Sequence, residues 1–215
     1  RSYELLQKLI GTLTTMDTVS APMAGLSVED TFEAHLISLA GRAASPSSGS
    51  GSDIASLYSV LKTFWLPSCS DYLGFTASGN QSVTTHRFFF WDPQPLVFNG
   101  VACAVCTAPL TNRGRITSGA LGVYDLTGPF YIIGCVYACT NDHVHASTDE
   151  SVRRALPQSL QGEFPALLLD NDRCVTRDGW SSELRGVSRA VWNLVQGGLR
   201  AGLEVDIILR VVRAV

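Results

Sequence analysis

Four runs rich in aromatic and β-branched residues, at 88–91, 96–107, 120–125 and 130–140, dominate the middle of the chain. Turn signals fence them off, at Asp92-Pro93, Asn112-Arg113-Gly114 and Gly128-Pro129. Segments of this make-up satisfy their backbone groups sideways, on one another, so the chain is bound to build a sheet. The C-terminal segment has the same character. Leu203, Val205, Ile207, Leu209 and Val211 alternate with Glu204, Asp206 and Arg210, a period-two pattern that predicts a long final strand.

Helical signals are fewer. Ser52 or Asp53 is a suitable N-cap for a helix over 52–65, in which Ile54, Leu57, Tyr58, Leu61, Phe64 and Trp65 share a face before Pro67. A short amphipathic helix is predicted at the N-terminus, with Leu5, Leu6, Leu9 and Ile10 on one side and Gly11 closing it. Residues 12–41 read as an extended arm with a strand near 31–39. Residues 42–53 are too small-sided to bury anything and read as a flexible loop. Over 182–196, Leu184, Val187, Val191 and Val195 fit either a helix ended by Gly197-Gly198 or a bulged strand. Many strands with few helices predict a mainly β fold, wired as a Greek-key or jelly-roll sandwich.

Charge and hydropathy exclude several functions. With 215 residues, 46% of them hydrophobic, the chain has enough apolar material for a core. Its 16 basic and 19 acidic side chains leave a net charge of −3 without a run of like charges, so there is no basic arm to neutralise many phosphates and no polybasic membrane anchor. No apolar stretch approaches the roughly 20 residues that span a bilayer. The first residues lack the apolar core of a signal peptide, which points to a soluble, intracellular protein.

The residues that could carry chemistry are cysteines and histidines. Cys103 and Cys106, then Cys135 and Cys139 with His143 and His145 close behind, invite a zinc reading, because tetrahedral zinc takes thiolates and imidazoles at short spacings on tight turns. The flanks argue otherwise. In a strand, Cys103 and Cys106 point to opposite faces, so the expectation is no metal, no cofactor and six reduced cysteines, Cys69 and Cys174 included. Asp142, His143 and His145 then belong to a polar loop. Gly134-Cys135 downstream of His86 is the one arrangement suggestive of a cysteine protease, but a strand interior offers no turn amides for an oxyanion. Asp170-Asn171-Asp172 opens like a calcium loop yet lacks the later glycine and glutamate. Gly-x-Ser-x-Gly and Gly-x-Gly-x-x-Gly are both missing. No catalytic residue is expected.

The helical segment at 51–64 resembles a stretch in coat proteins of picorna-like viruses, whose pattern reads Gly-Glu-x-Ile-x-Ser-Leu-Arg-x-Leu-Leu-Lys-Arg-Phe. Gly51, Ile54, Ser56, Leu57, Leu61, Lys62 and Phe64 match it; Ser52, Tyr58 and Thr63 replace its charged positions. The resemblance implies an eight-stranded antiparallel β-sandwich, the viral jelly roll, over 31–215, preceded by an N-terminal arm over 1–30. It further implies a non-enzymatic structural subunit of an icosahedral capsid, cut from a polyprotein, assembled in the host cytoplasm and located in the virion. Its partners would be copies of itself, related capsid proteins, the RNA genome weakly on the inner face and a host receptor on outer loops. A β-sandwich module binding carbohydrate or protein is the alternative, and a small thiol or metal enzyme a third.

Overall fold

A computed structural model describes residues 2–17, 32–33, 58, 61–66, 86–116, 119–169 and 184–214. Nine-residue strand β4 (Phe130–Ala138) is the spine, and the reason is composition: Phe-Tyr-Ile-Ile-Gly-Cys-Val-Tyr-Ala has almost nothing that tolerates water, and all but Val136 are buried. A strand apolar on both faces needs neighbours on both edges and cover on both sides. Its first half has β1 (Arg87–Trp91) on one edge, parallel, and β3 (Leu121–Tyr124) on the other, antiparallel. Its second half turns to β2 (Thr111–Arg115) and β5 (Val144–Ala146), both antiparallel. Beyond β3 the sheet continues through β7 (Leu184–Ser188), parallel to β3, to β6 (Ala166–Leu168), so the path is β1-β4-β3-β7-β6 with β2 and β5 branching from β4.

Among the described residues this is a mixed seven-stranded sheet with several helices. Sequence expected a mainly β fold, and the sheet is there. The helical share is larger than expected, and the parallel β1–β4 and β3–β7 pairs depart from all-antiparallel wiring.

Aromatic packing fills one side of the sheet. Phe64, Phe89, Trp91 and Phe164 lie within one cluster, Trp91 4.6 Å from Phe64 and 5.2 Å from Phe164 between ring centroids. Residues 64–66 run along the outer edge of β1, the Leu66 amide donating to Phe88 and the Phe90 amide to Phe64, which covers that edge. The helix predicted over 52–65 therefore ends early. The Lys62 amide closes a turn on the Tyr58 carbonyl, Lys62 adopts φ 56°, and the chain leaves in extended form. Tyr58 and Leu61 pack on the core as the pattern required, while 51–57 lie outside the described residues. Of the strand expected near 31–39, Phe32 and Glu33 are described, and both are helical.

The other side of the sheet carries helices. Helices α2 (Glu150–Arg154) and α3 (Gln158–Glu163) pack instead against the aromatic cluster through Val152, Leu160 and, between the two helices, Leu156, while here the chain enters α4 (Arg189–Arg200) directly from β7, with the Ser188 hydroxyl accepting from the Val191 amide as N-cap. The ambiguous stretch at 182–196 thus holds both answers: Leu184 and Val187 are strand, Val191 and Val195 helix. The final segment is a correction. It forms helix α5 (Val205–Ala214). Val205, Ile208, Leu209 and Val212 also recur at helical spacing, and packing on α1 (Ser2–Asp17) and α4 selects that face, leaving Ile207 and Val211 exposed. Helix α1 runs on past Gly11. Its Leu6, Leu9, Ile10 and Leu13 are buried with Val187, Val191, Val195 and Val212 in a second apolar cluster, so the apolar face predicted from Leu5, Leu6, Leu9 and Ile10 packs within the chain. No helix among the described residues is long and apolar enough to cross a membrane.

Candidate metal centre

Between β1 and β2 the segment expected as a strand at 96–107 is instead a 3-10 turn, Gln94–Leu96, followed by a tight hairpin. Ala102 bridges Pro109, the Cys103 amide donates to Ala108, and the Thr107 amide donates back to Cys103. Thr107 takes φ 61°, the left-handed step that lets so short a turn close. A second turn lies where β4 ends. Cys139 follows Ala138 directly, the Asp142 amide donates to the Cys139 carbonyl, Asp142 adopts φ 58°, and His143 leads into β5. Because β2 opens with Thr111 paired to Ala138, the hairpin carrying Cys103 and Cys106 is delivered beside Cys139.

The reasoning that set Cys103 and Cys106 on opposite faces fails here, since a turn curls both sulfurs to one side. Cys103, Cys106, Cys139 and His143 bring four ligand atoms within 4.8 Å of one another. The Cys106 and Cys139 sulfurs are 3.6 Å apart. His143 Nδ1 lies 3.3 Å from Cys106 Sγ, 3.4 Å from Cys139 Sγ and 3.7 Å from Cys103 Sγ. For a tetrahedral ion with bonds of about 2.3 Å to sulfur and about 2.0 Å to nitrogen, ligand atoms sit roughly 3.8 Å apart for two sulfurs and roughly 3.5 Å for sulfur and nitrogen. These separations suit one small cation.

The backbone around the sulfurs is arranged for thiolates. Cys103 Sγ receives the Val105 amide at 3.4 Å, Cys106 that of Ala108, and Cys139 that of Asn141, in each case two residues on. Hydrogen bonds to the anion favour it. The Ala108 amide first and the Asn141 side chain second bring the Cys106 thiol down to about 6, whereas burial pushes Cys139 up. A cation would offset that burial.

Other predicted candidates separate cleanly. Cys135 stays in β4, where desolvation pushes its thiol up to about 12, the opposite of a nucleophile. His86 does not pair with it; the imidazole packs edge-on to Tyr131 at 5.5 Å. Residues 170–172, Cys69 and Cys174 lie outside the described residues. Cys103, Cys106, Cys135 and Cys139 are all free of disulfides. The spacing, Cys-x-x-Cys followed by Cys-x-x-x-His, carries the zinc signal in the sequence, and the strand-like periodicity of the flanks argues against it because it hides the turns. Comparison with known proteins adds no relative, for no family model, curated protein or solved structure matches the chain.

Proposed function

We propose that the chain is a non-catalytic, zinc-stapled α/β module whose centre is structural, with Cys103, Cys106, Cys139 and His143 as its ligands. The observation that carries this reading is the convergence of four donor atoms from two turns far apart in sequence. Three thiolates and an imidazole select zinc over the hard cations, and four protein donors fill a tetrahedral shell, leaving no position for substrate. Such a centre ties the hairpin before β2 to the end of β4 and adds binding energy to folding. Protein expressed with zinc should carry one equivalent per chain, and Cys139→Ser or His143→Ala should lose it and unfold more readily. Metal-free protein with an unchanged melting temperature would sink the reading.

The capsid subunit remains a separate proposal, about what such a module assembles into. Its support is the resemblance at 51–64, within which Phe64 is buried in the main core and Leu61 packs against it. Shell partners, genome contact and location in the virion go with it. Closed particles in electron micrographs of native material would support it, and a strictly monomeric native protein would refute it.

A further inference from the structure

We infer that His145 is a positioning residue for this centre, its Nε2–H donating to the Cys103 sulfur and holding that thiolate in place for the metal. The inference rests on the zinc reading above and deepens it. His145 Nε2 is 3.2 Å from Cys103 Sγ, closer than the Val105 amide at 3.4 Å. A metal-bound thiolate carries no proton, so the proton in this contact sits on nitrogen and the imidazole is the donor.

Strand geometry explains why His145 supports the centre while His143 enters it. Strand β5 alternates its side chains, so His143 and His145 share a face while Val144 points away and is exposed. Pairing of His145 with Tyr137 and of Val144 with Ala138 fixes that alternation against β4. His143, at the mouth of the strand, reaches all three sulfurs through Nδ1. One residue pair further along the ladder, His145 reaches the Cys103 sulfur through Nε2.

The charge balance gives the contact work to do. Three thiolates around a divalent ion leave a net negative centre, and Cys103 and Cys139 are nearly inaccessible to water, at 1% exposure each. Donors must come from the protein. Cys106 has the Asn141 side chain in addition to its backbone amide. For Cys103 the corresponding side-chain donor is His145. Both hairpin sulfurs therefore pair a backbone amide with a side-chain donor, and the two side chains come from the β4–β5 turn and β5, on the opposite ligand segment from the sulfurs they serve. Metal binding and the docking of the two segments are thereby coupled through His145 as well as through the ion.

Cobalt substitution and zinc competition test this in wild type, His145→Ala, His145→Gln and His143→Ala. His145→Ala should keep the tetrahedral visible bands of a three-sulfur, one-nitrogen site. Its thiolate-to-cobalt charge transfer should move to lower energy, and zinc should bind about 10- to 100-fold more weakly. His145→Gln, whose amide N–H can replace the imidazole donor, should recover most of both. His143→Ala should lose the tetrahedral bands. Unchanged charge transfer and affinity in His145→Ala would overturn the inference, as would loss of its tetrahedral bands, which would make His145 a ligand. Failure of wild type to take up either metal would instead overturn the zinc reading, and wild type alone reports that.

Discussion

Gly134 is a position where one added methyl group should do clear damage. It faces Trp91 across the parallel β1–β4 ladder, and a Cβ there would sit 2.8 Å from Ser147 Oγ, with Ile116 and Thr148 methyls at 3.2 Å. The hydroxyl cannot swing aside freely. It accepts from the Cys135 amide at 2.9 Å and donates to the Trp91 carbonyl at 2.8 Å, while Trp91 Nε1 returns a hydrogen bond to the Ser147 carbonyl. Keeping the hydroxyl in place means overpacking, about 1–3 kcal/mol. Moving it breaks two buried hydrogen bonds of about 1 kcal/mol each and leaves their partners unsatisfied. Reduced unfolded-state entropy returns about 0.4–1 kcal/mol. The cheaper course sets the cost, so the expected net loss for Gly134→Ala is about 1–2 kcal/mol, read from urea unfolding at saturating zinc. In a Ser147→Ala background the main clash is absent, so the same substitution should cost at least about 1 kcal/mol less. Gly11→Ala, with nothing within 4 Å in α1, should stabilise by up to about 1 kcal/mol. A Gly134→Ala loss below about 0.5 kcal/mol, or strict additivity with Ser147→Ala, would refute the argument.

Two further outcomes follow from backbone strain and from burial. Thr107 is exposed and holds φ 61°, so Thr107→Gly should gain about 0.5–1 kcal/mol in thermal unfolding despite losing its hydroxyl contact with the Cys106 carbonyl; destabilisation would mean that this hydrogen bond outweighs the strain. Asp92 is buried, and desolvation raises its carboxyl above 3.8 although Tyr137 and Asn112 donate to it at 2.6 and 2.8 Å. A raised acid favours the fold while protonated, so its contribution is complete below the unfolded value and is lost as pH climbs through the folded one. Asp92→Asn should thus gain on wild type between pH 3 and pH 7 in urea midpoints, and any metal that both proteins release in acid cancels in the difference. A difference independent of pH would refute it.

What sequence discloses depends on how far each signal is local. Strands β1, β3 and β4 are legible because continuous apolar runs have no other use in a chain this size. Strand β2 is not, since Thr-Asn-Arg-Gly-Arg has no apolar pattern and becomes a strand through pairing with β4. The segment 203–211 satisfies two periods at once, and the tertiary face offered by α1 and α4 decides between them. The candidate metal site is half-visible. Its ligand spacing stands in the sequence, but the turns that make the spacing useful depend on left-handed steps at Asp142 and at Thr107, a β-branched residue that propensity alone would not choose.

Because β4 is shared, with its first half in the main sheet and its second half under the two metal turns, the order of folding events has a natural handle. Parallel pairing of β1 with β4 must wait for a long intervening segment to close, and loop closure is what slows such topologies. Cys106 and Cys139 are 33 residues apart; Cys139 lies shortly beyond Gly134, while Cys106 lies well inside the segment that joins β1 to β4. An ion captured by the unfolded chain would close most of that loop in advance. On this view zinc acts as a kinetic clasp as well as a staple, and refolding should quicken when metal is present before denaturant is diluted rather than after.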